Sequence, residues 1–186
     1  FTILYMLTIL LMEKKDKEIY KGLSDTDALT GLFNRRAFQA AVDETLLKRI
    51  AGVFIFIDVD NFKDYNDKYG HANGDLCLKH FAATMKKCFP KDSILGRYGG
   101  DEFVVYIKNA VSDDAHRYMD EFQREISHLM MSGGEHVTVS ASAGGVVFIG
   151  EDEDFVSLCR SADNMLYDVK RNGKGTFKIK GAKKAC

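Results

Sequence analysis

The sequence predicts an α/β fold of the α+β kind, in which helices flank a central and mostly antiparallel sheet. The run Gly52–Val59 (GVFIFIDV) is continuously apolar and ends in acid, which is typical of a buried central strand. Two short apolar segments, residues 93–97 and 102–107, are separated by a Gly-Gly turn and predict an antiparallel hairpin. Amphipathic helical stripes alternate with these strands and are expected to cover the sheet.

The elements before the hairpin are predicted from stripes of apolar residues and from capping residues. Asn34 is a suitable N-cap for the stripe that runs from Ala37 to Leu47. Asn73 is a second candidate N-cap. The predicted elements are a helix over 35–50, a short helix from near residue 61, a loop over 69–71 and a helix over 74–88.

The elements after the hairpin follow the same alternation. Residues 153–171 form the cleanest amphipathic stripe, and Gly173 is expected to end that helix. The predicted elements are a helix over 112–131, a strand over 137–148 broken at Gly144-Gly145, a helix over 153–171 and a strand over 176–180.

Composition excludes several classes of protein. The chain has 186 residues, 46% of them hydrophobic, which suits one domain with a sizeable core. Its formal net charge of -1 gives no basic field for nucleic acid. The four cysteines include no CxxC pair, so neither a zinc site nor a disulfide framework is expected, and a reducing compartment fits.

The N-terminal segment is apolar over residues 1–12 and is followed by lysines at positions 14, 15 and 17. A membrane span needs about 20 apolar residues. The segment is therefore either the end of a truncated span with a cytoplasmic flank or a linker helix that pairs with a partner. We expect a fragment with a helix over 1–24, a main domain over 25–181 and a tail over 182–186, its sensor region lying upstream.

Two groups of carboxylates stand out. Asp58-Val59-Asp60 ends the predicted central strand, and Asp101-Glu102 lies at the tip of the hairpin. If the hairpin pairs beside that strand, Asp58 and Asp101 meet at one edge of the sheet. Clustered carboxylates are costly unless a cation neutralises them, and Mg²⁺ prefers such ligands together with substrate phosphates. Acidic residues near turns also commonly just face solvent, so the pattern alone leaves both readings open.

The chain resembles the GGDEF-domain diguanylate cyclases from about residue 26 to residue 180. The matching segments are 27–36 (DALTGLFNRR), 58–63 (DVDNFK) with Asn66 and Asp67, Gly70-His71 with Gly74-Asp75, 99–103 (GGDEF), and Ala162-Asp163, Leu166-Tyr167 and Lys170. The resemblance implies a fold like the palm of nucleotide cyclases and polymerases. It also implies condensation of two GTP molecules into cyclic di-GMP with release of two pyrophosphates. Because each domain of this family binds one GTP, a homodimer is implied.

The resemblance assigns the metal ligands. Asp58, Asp101 and the backbone carbonyl of Val59 would hold one or two Mg²⁺ ions, with Mn²⁺ as a substitute. Glu102 is either a further ligand or, like Asp101, the group that takes the proton from the attacking 3′-hydroxyl.

The resemblance also assigns the phosphate-binding residues. The turn at Phe62-Lys63 would cradle the β- and γ-phosphates on a helix N-terminus, and Lys63 would offset charge on the leaving group. Lys170 and Lys174 would hold the triphosphate tail. The family usually carries Arg where Lys174 stands, and lysine lacks the bidentate fork of arginine. Lys174 is alternatively only part of a lysine-rich helix end.

Guanine recognition is implied for Asn66 and Asp75, since a carboxylate accepts from both N1–H and the exocyclic amine of guanine. His71 either contacts the substrate or orders its loop. Pro90 and Ser93 stand where many relatives carry an RxxD product-inhibition site, so no such site is expected.

The resemblance predicts a cytoplasmic, membrane-anchored bacterial signalling enzyme. The alternatives are a GGDEF domain that binds GTP or cyclic di-GMP without catalysis, and an unrelated nucleotidyl-transfer enzyme.

Overall fold

A computed structural model describes residues 25–127, 138–150 and 153–181 of the chain. The predicted helix over 1–24 and the tail over 182–186 lie outside these residues and stay predictions. The elements are β1 (Phe33–Asn34), α1 (Arg35–Leu47), β2 (Gly52–Val59), α2 (Phe62–Tyr69), α3 (His71–Cys88), β3 (Ile94–Gly99), β4 (Glu102–Lys108), α4 (Ser112–Ile126), β5 (Ala141–Phe148), α5 (Phe155–Arg171) and β6 (Phe177–Lys180).

The six strands form one sheet in the order β1-β3-β4-β2-β5-β6. The three inner pairings, β3 with β4, β4 with β2 and β2 with β5, are antiparallel. The two outer pairings, β1 with β3 and β5 with β6, are parallel. The predicted α+β fold with a mostly antiparallel sheet is confirmed, and β2 occupies the central position that its apolar sequence predicts.

Side chains of β2 alternate between two cores because successive residues of a strand face opposite sides of the sheet. Ile55 and Ile57 are fully buried against the layer formed by α3 and α4, where Phe81 also lies. Phe54 and Phe56 face the layer formed by α1 and α5. Burying each of these large side chains contributes about 1.5–3 kcal/mol, so the central strand is fixed from both faces.

The start of α3 differs from the prediction. The helix begins at His71, not at residue 74, and Gly70 is its N-cap at φ 83. A positive φ suits glycine and lets the chain turn from α2 into α3 within one residue. Asn73 is therefore helical, and its side-chain amide donates to the carbonyl of Tyr69 (2.8 Å). The predicted cap at Asn73 is wrong, and the predicted loop over 69–71 is shortened to Gly70.

The predicted break at Gly144-Gly145 is also wrong, because β5 is continuous from Ala141 to Phe148. A Cβ at Gly144 would overlap the backbone of Ala162 and Leu166. The glycine therefore allows α5 to approach the sheet closely without interrupting the strand.

The bounds of two elements are shorter than predicted. Helix α4 ends at Ile126, and Ser127 lies outside it. Strand β5 starts at Ala141, since residues 138–140 have no strand structure. Within the described ranges, no helix has both the length and the apolar character to cross a membrane.

Candidate active site

The predicted carboxylates lie at one edge of the sheet. In the register of β2 and β4, Asp58 is opposite Glu102. The backbone N–H of Val59 donates to the carbonyl of Asp101 (3.2 Å), which ties the tip of the hairpin to the end of β2. The antiparallel pairing thus brings Asp58, Asp101 and Glu102 together, as the sequence predicts.

Lys170 supplies the positive charge at this edge. Its Nζ lies 2.8 Å from Oδ2 of Asp58, whose side chain is only 13% exposed. Helix α5 carries Lys170 in its last turn, and its packing on β5 directs the lysine to the end of β2. The resemblance predicts that Lys170 binds the triphosphate, but it does not predict the ion pair with Asp58.

Burial and neighbouring acids raise the pKa of Asp58 and of Glu102. Burial raises the pKa of Asp58 above its ordinary value, Lys170 partly offsets this, and the charges of Asp101 and Asp60 add to it. Burial likewise raises the pKa of Glu102, and the charges of Asp58 and Asp101 raise it further. Three partly buried carboxylates with one lysine are under-neutralised, which is the environment that a divalent cation relieves.

No cluster of three or more His, Cys, Asp or Glu side chains in the described ranges is already arranged to hold a metal. Asp58 is instead held by the ammonium of Lys170. The donor set is chemically suited to Mg²⁺, because its ligands are carboxylate oxygens next to a backbone strand end. The ligand roles of Asp58, Val59, Asp101 and Glu102 therefore stay predictions.

The phosphate segment begins where β2 ends. Asn61 has φ 54 and does not cap α2 with its side chain. Its Oδ1 instead accepts a hydrogen bond from Nζ of Lys174 (2.8 Å), a residue 113 positions later. The start of α2 therefore keeps its N–H groups free of a side-chain cap, and exposed Lys63 lies in its first turn. The structure brings Lys174 to this segment, as the phosphate role requires.

The predicted base segment lies between α2 and α3. Oδ1 of Asn66 is buried and has no hydrogen-bond partner among the described residues. It faces Gly74, where a Cβ would overlap that oxygen and lie 3.3 Å from the ring of Phe62. A buried amide oxygen without a donor is costly, so a ligand that donates there would be favoured. Asp75 follows Gly74 directly and is exposed.

The other predicted substrate residues carry less structural support. Phe62 is half-buried, and its ring stacks on Tyr65 with centroids 6.1 Å apart, which fits a packing role. His71 is exposed at the first position of α3, so both of its predicted roles remain open.

Sequence reasoning missed the network around Arg97. Its Nε and Nη2 donate to the carbonyl of Gly100 (2.9 and 2.7 Å) in the turn of the hairpin. Its Nη1 donates to both carboxylate oxygens of Asp27 (3.1 and 3.2 Å). Both residues lie in motifs that the sequence singles out, but their contact spans 70 positions and leaves no local pattern. Arg97 thus connects the segment around Asp27 to the hairpin turn that carries Asp101.

Sequence reasoning also missed the role of Asp60. Its carboxylate accepts from Ser140 Oγ (2.8 Å), Ser142 Oγ (2.7 Å) and the N–H of Gly175 (2.9 Å). Nothing in the local sequence distinguishes Asp60 from Asp58, because the two serines lie 80 and 82 positions away.

Comparisons with known proteins find one matching family model and several solved structures with a similar fold. The family model for the diguanylate cyclase GGDEF domain matches residues 24–176. The GGDEF domain of TpbB (YfiN) from Pseudomonas aeruginosa has a TM-score of 0.78 and 30% identity, covering 83% of this chain and 93% of that structure. The GGDEF domain of DgcB from Caulobacter crescentus, solved with cyclic di-GMP, has a TM-score of 0.77 and 27% identity, covering 84% and 96%.

Curated relatives include proteins with different named activities. Diguanylate cyclase DgcM of Escherichia coli is 31% identical, with 87% of this chain and 40% of DgcM covered. A diguanylate cyclase of Vibrio cholerae is 32% identical, covering 85% and 50%. The cyclic di-GMP phosphodiesterase PdeR of Escherichia coli is also 32% identical, covering 89% and 25%. The chain thus spans a quarter to a half of the length of these relatives. It belongs to the diguanylate cyclase GGDEF-domain family.

Proposed function

We propose that the domain is an active diguanylate cyclase, which condenses two GTP molecules into cyclic di-GMP and two pyrophosphates. The observation that carries the proposal is the register that sets Asp58 opposite Glu102, with Asp101 hydrogen-bonded through its backbone to Val59. Asp58, Asp101 and Glu102, the acids that the proposal uses, all lie at this edge of the sheet. Relatives named as cyclases support the same reading, while the relative named as a phosphodiesterase shows that family membership alone does not decide activity.

The chemistry is transfer of two nucleotidyl groups. Each 3′-hydroxyl attacks the α-phosphorus of the other GTP, one P–O bond forms, and the bond to the β-phosphate breaks to release pyrophosphate. The hydroxyl proton passes to Asp101 or Glu102. Mg²⁺, held by Asp58, Asp101, Glu102 and the Val59 carbonyl, would polarise the phosphate oxygens when bound.

Other residues bind and orient the substrate in this proposal. The start of α2, with Lys63, receives the β- and γ-phosphates, and Lys174 lies next to it through Asn61. Lys170 neutralises Asp58 in the free domain and binds the triphosphate once the nucleotide is bound.

Guanine fits the base segment better than adenine. The unpartnered Oδ1 of Asn66 and the carboxylate of Asp75 are both acceptors, and guanine presents the N1–H and amine donors that they need. Adenine lacks this donor pair on the same edge, so ATP leaves the acceptors unsatisfied.

Two domains are required because one domain binds one GTP. We propose a homodimer in which two such sites face each other, with residues 1–24 as a dimerising helix.

A direct assay tests the proposal. Purified protein is incubated with GTP and Mg²⁺, and cyclic di-GMP and pyrophosphate are quantified by chromatography and mass spectrometry. Asp101→Ala should abolish product without unfolding the domain, whereas Asp92→Ala, at an exposed acid away from the site, should be active. A wild-type dimer that binds GTP but makes no product would contradict the enzyme proposal and support a binding module.

A further inference from the structure

We propose that Asp60 is a positioning residue that holds Lys174 at the start of α2, and that it is not a ligand of the metal. The function assigned to Lys174 rests on the proposed binding of GTP.

Both oxygens of Asp60 are already occupied by protein donors. Oδ1 accepts from Ser142 Oγ, and Oδ2 accepts from Ser140 Oγ and from the N–H of Gly175. The residue is 9% exposed. A buried carboxylate is tolerated when several donors satisfy its lone pairs, and these three donors do so. Asp60 is therefore unlike Asp58, whose carboxylate lies 2.8 Å from Nζ of Lys170 and opposite Glu102.

The hydrogen bonds of Asp60 join three separate parts of the chain. Its backbone follows the end of β2, and its N–H donates to the carbonyl of Ser140 (2.9 Å) just before β5. Its side chain holds Gly175 in the segment between α5 and β6. The Asp60 carboxylate thus links that segment to the end of β2, while the N–H of Ala143 and the pairing of β6 with β5 hold the segment to β5.

The held segment presents Lys174. Lys174 has φ 58, and Asn61, directly after Asp60, has φ 54. Non-glycine residues rarely adopt such backbone angles unless their surroundings hold them there. Lys174 lies directly before the Gly175 N–H that Asp60 binds, and its Nζ donates to Asn61 Oδ1. The four residues form a closed ring of covalent and hydrogen bonds.

This ring determines where the ammonium of Lys174 stands. Lysine is a flexible point charge without the planar fork of arginine, so its placement depends on its backbone and on partners such as Asn61. Loss of the Asp60 carboxylate should free the segment around Gly175 and let Lys174 move away from α2. The consequence is weaker binding of the triphosphate with little effect on the chemical step.

A double-mutant cycle tests the inference. Asp60→Ala, Lys174→Ala and the double variant are titrated with a non-hydrolysable GTP analogue and Mg²⁺. We expect each single variant to bind about 10-fold more weakly, as for loss of a charge-assisted hydrogen bond, and the double variant to bind no more weakly than Lys174→Ala alone. Asp60→Asn keeps one acceptor oxygen for Gly175 and should recover part of the loss.

Two further readouts separate positioning from stability and metal binding. Amide exchange at Gly175 should accelerate in Asp60→Ala, and KM for GTP should rise while kcat at saturating GTP and the Mg²⁺ dependence stay near wild type. Tyr106→Phe is the matched control, since it removes a buried hydrogen bond to the carbonyl of Ile50 at the opposite end of β2 (2.7 Å). It should lower stability without changing affinity for the analogue.

The outcomes are distinct. The positioning role would be overturned if Asp60→Ala lowered affinity for the analogue by the same factor in the wild type and in Lys174→Ala. It would also be overturned if Asp60→Ala weakened Mg²⁺ binding and left affinity for the analogue unchanged. A wild type that binds the analogue but makes no product overturns only the proposed enzyme, because affinity and amide exchange still decide the role of Asp60. A wild type that does not bind the analogue overturns both.

Discussion

Nζ of Lys170 lies 2.8 Å from Oδ2 of Asp58, so the last turn of α5 neutralises the acid at the end of the central strand. In the described part of the chain this ion pair stands where the resemblance predicts a metal and a triphosphate. Lys170 therefore pairs with the Asp58 carboxylate in the free domain, and we expect it to bind phosphate in the complex. Asp58 would exchange its ammonium partner for the metal when the nucleotide binds.

Replacing Lys170 should therefore impair substrate binding and the ionisation of Asp58 together. Lys170→Met removes the group that offsets the raised pKa of Asp58, so the acidic limb of the rate profile should move to higher pH. KM for GTP should rise by about 10-fold through the lost charge. Steady-state kinetics across pH check both effects.

Arg171→Ala is the matched control for that variant. Arg171 is exposed, and its guanidinium lies over the ring of Tyr167 at 5.7 Å. The change removes a neighbouring charge of the same sign and should leave the pH profile in place. Equal effects of the two substitutions would show that only net charge matters.

Ionised Glu102 should lower the stability of the folded domain. Burial and the charges of Asp58 and Asp101 raise its pKa in the folded state, so ionised Glu102 destabilises the fold. The stability that protonation supplies is complete below the unfolded pKa and is lost as pH rises through the folded pKa. Glu102→Gln should thus match wild type near pH 4 and melt about 2 °C higher at pH 7.5, measured without divalent cations.

Glu44→Gln provides the comparison. Lys48 lowers the pKa of exposed Glu44, so neutralising it should give no gain in melting temperature. A Glu102→Gln protein that is less stable than wild type at pH 7.5 would contradict a pKa of Glu102 raised by burial and by Asp58 and Asp101. The variant should also lack cyclase activity.

The sequence predicted the elements whose signal is local. The apolar run of β2 and the Gly-Gly turn of the hairpin specify an antiparallel pair, and that pairing places Asp58 opposite Glu102. Contacts between distant segments left no such signal. The pairing of Arg97 with Asp27 and the close approach of α5 to Gly144 depend on how helices and loops dock on the sheet. The spacing of residues in the sequence does not predict that docking.

Gly74 should be required for guanine recognition. In Gly74→Ala the new Cβ overlaps Oδ1 of Asn66 and forces the amide out of its position. Alanine favours a helix over glycine by about 1 kcal/mol, so the fold should be stable while KM for GTP rises. Ala72→Gly, at an exposed site in the same helical turn, is the control that alters propensity without touching Asn66. Unchanged KM in Gly74→Ala would refute the role of Asn66.

Asp27 should stabilise the hairpin turn through Arg97. Burial acts to raise the pKa of Asp27, but hydrogen bonds from Thr30 and Arg97 outweigh it and lower the pKa overall. A lowered pKa contributes stability above the unfolded value that is lost as pH falls through the folded value. Asp27→Asn should thus cost about 1 kcal/mol at pH 7, and the difference from wild type should shrink below about pH 4. Denaturant unfolding across pH measures this.

The adjacent glycines of β5 should respond very differently to a methyl group. Gly144→Ala places Cβ against the backbone of Ala162 and Leu166, which cannot move without shifting α5 from the sheet. Gly145→Ala meets only contacts of 3.2–3.3 Å, two of them with the side chains of Ile179 and Ile55. We expect the first change to cost about 3 kcal/mol or more and the second about 1 kcal/mol or less in denaturant unfolding. Because α5 carries Lys170, Gly144→Ala should also weaken GTP binding, and equal stability of the two variants would contradict the close packing of α5 on β5.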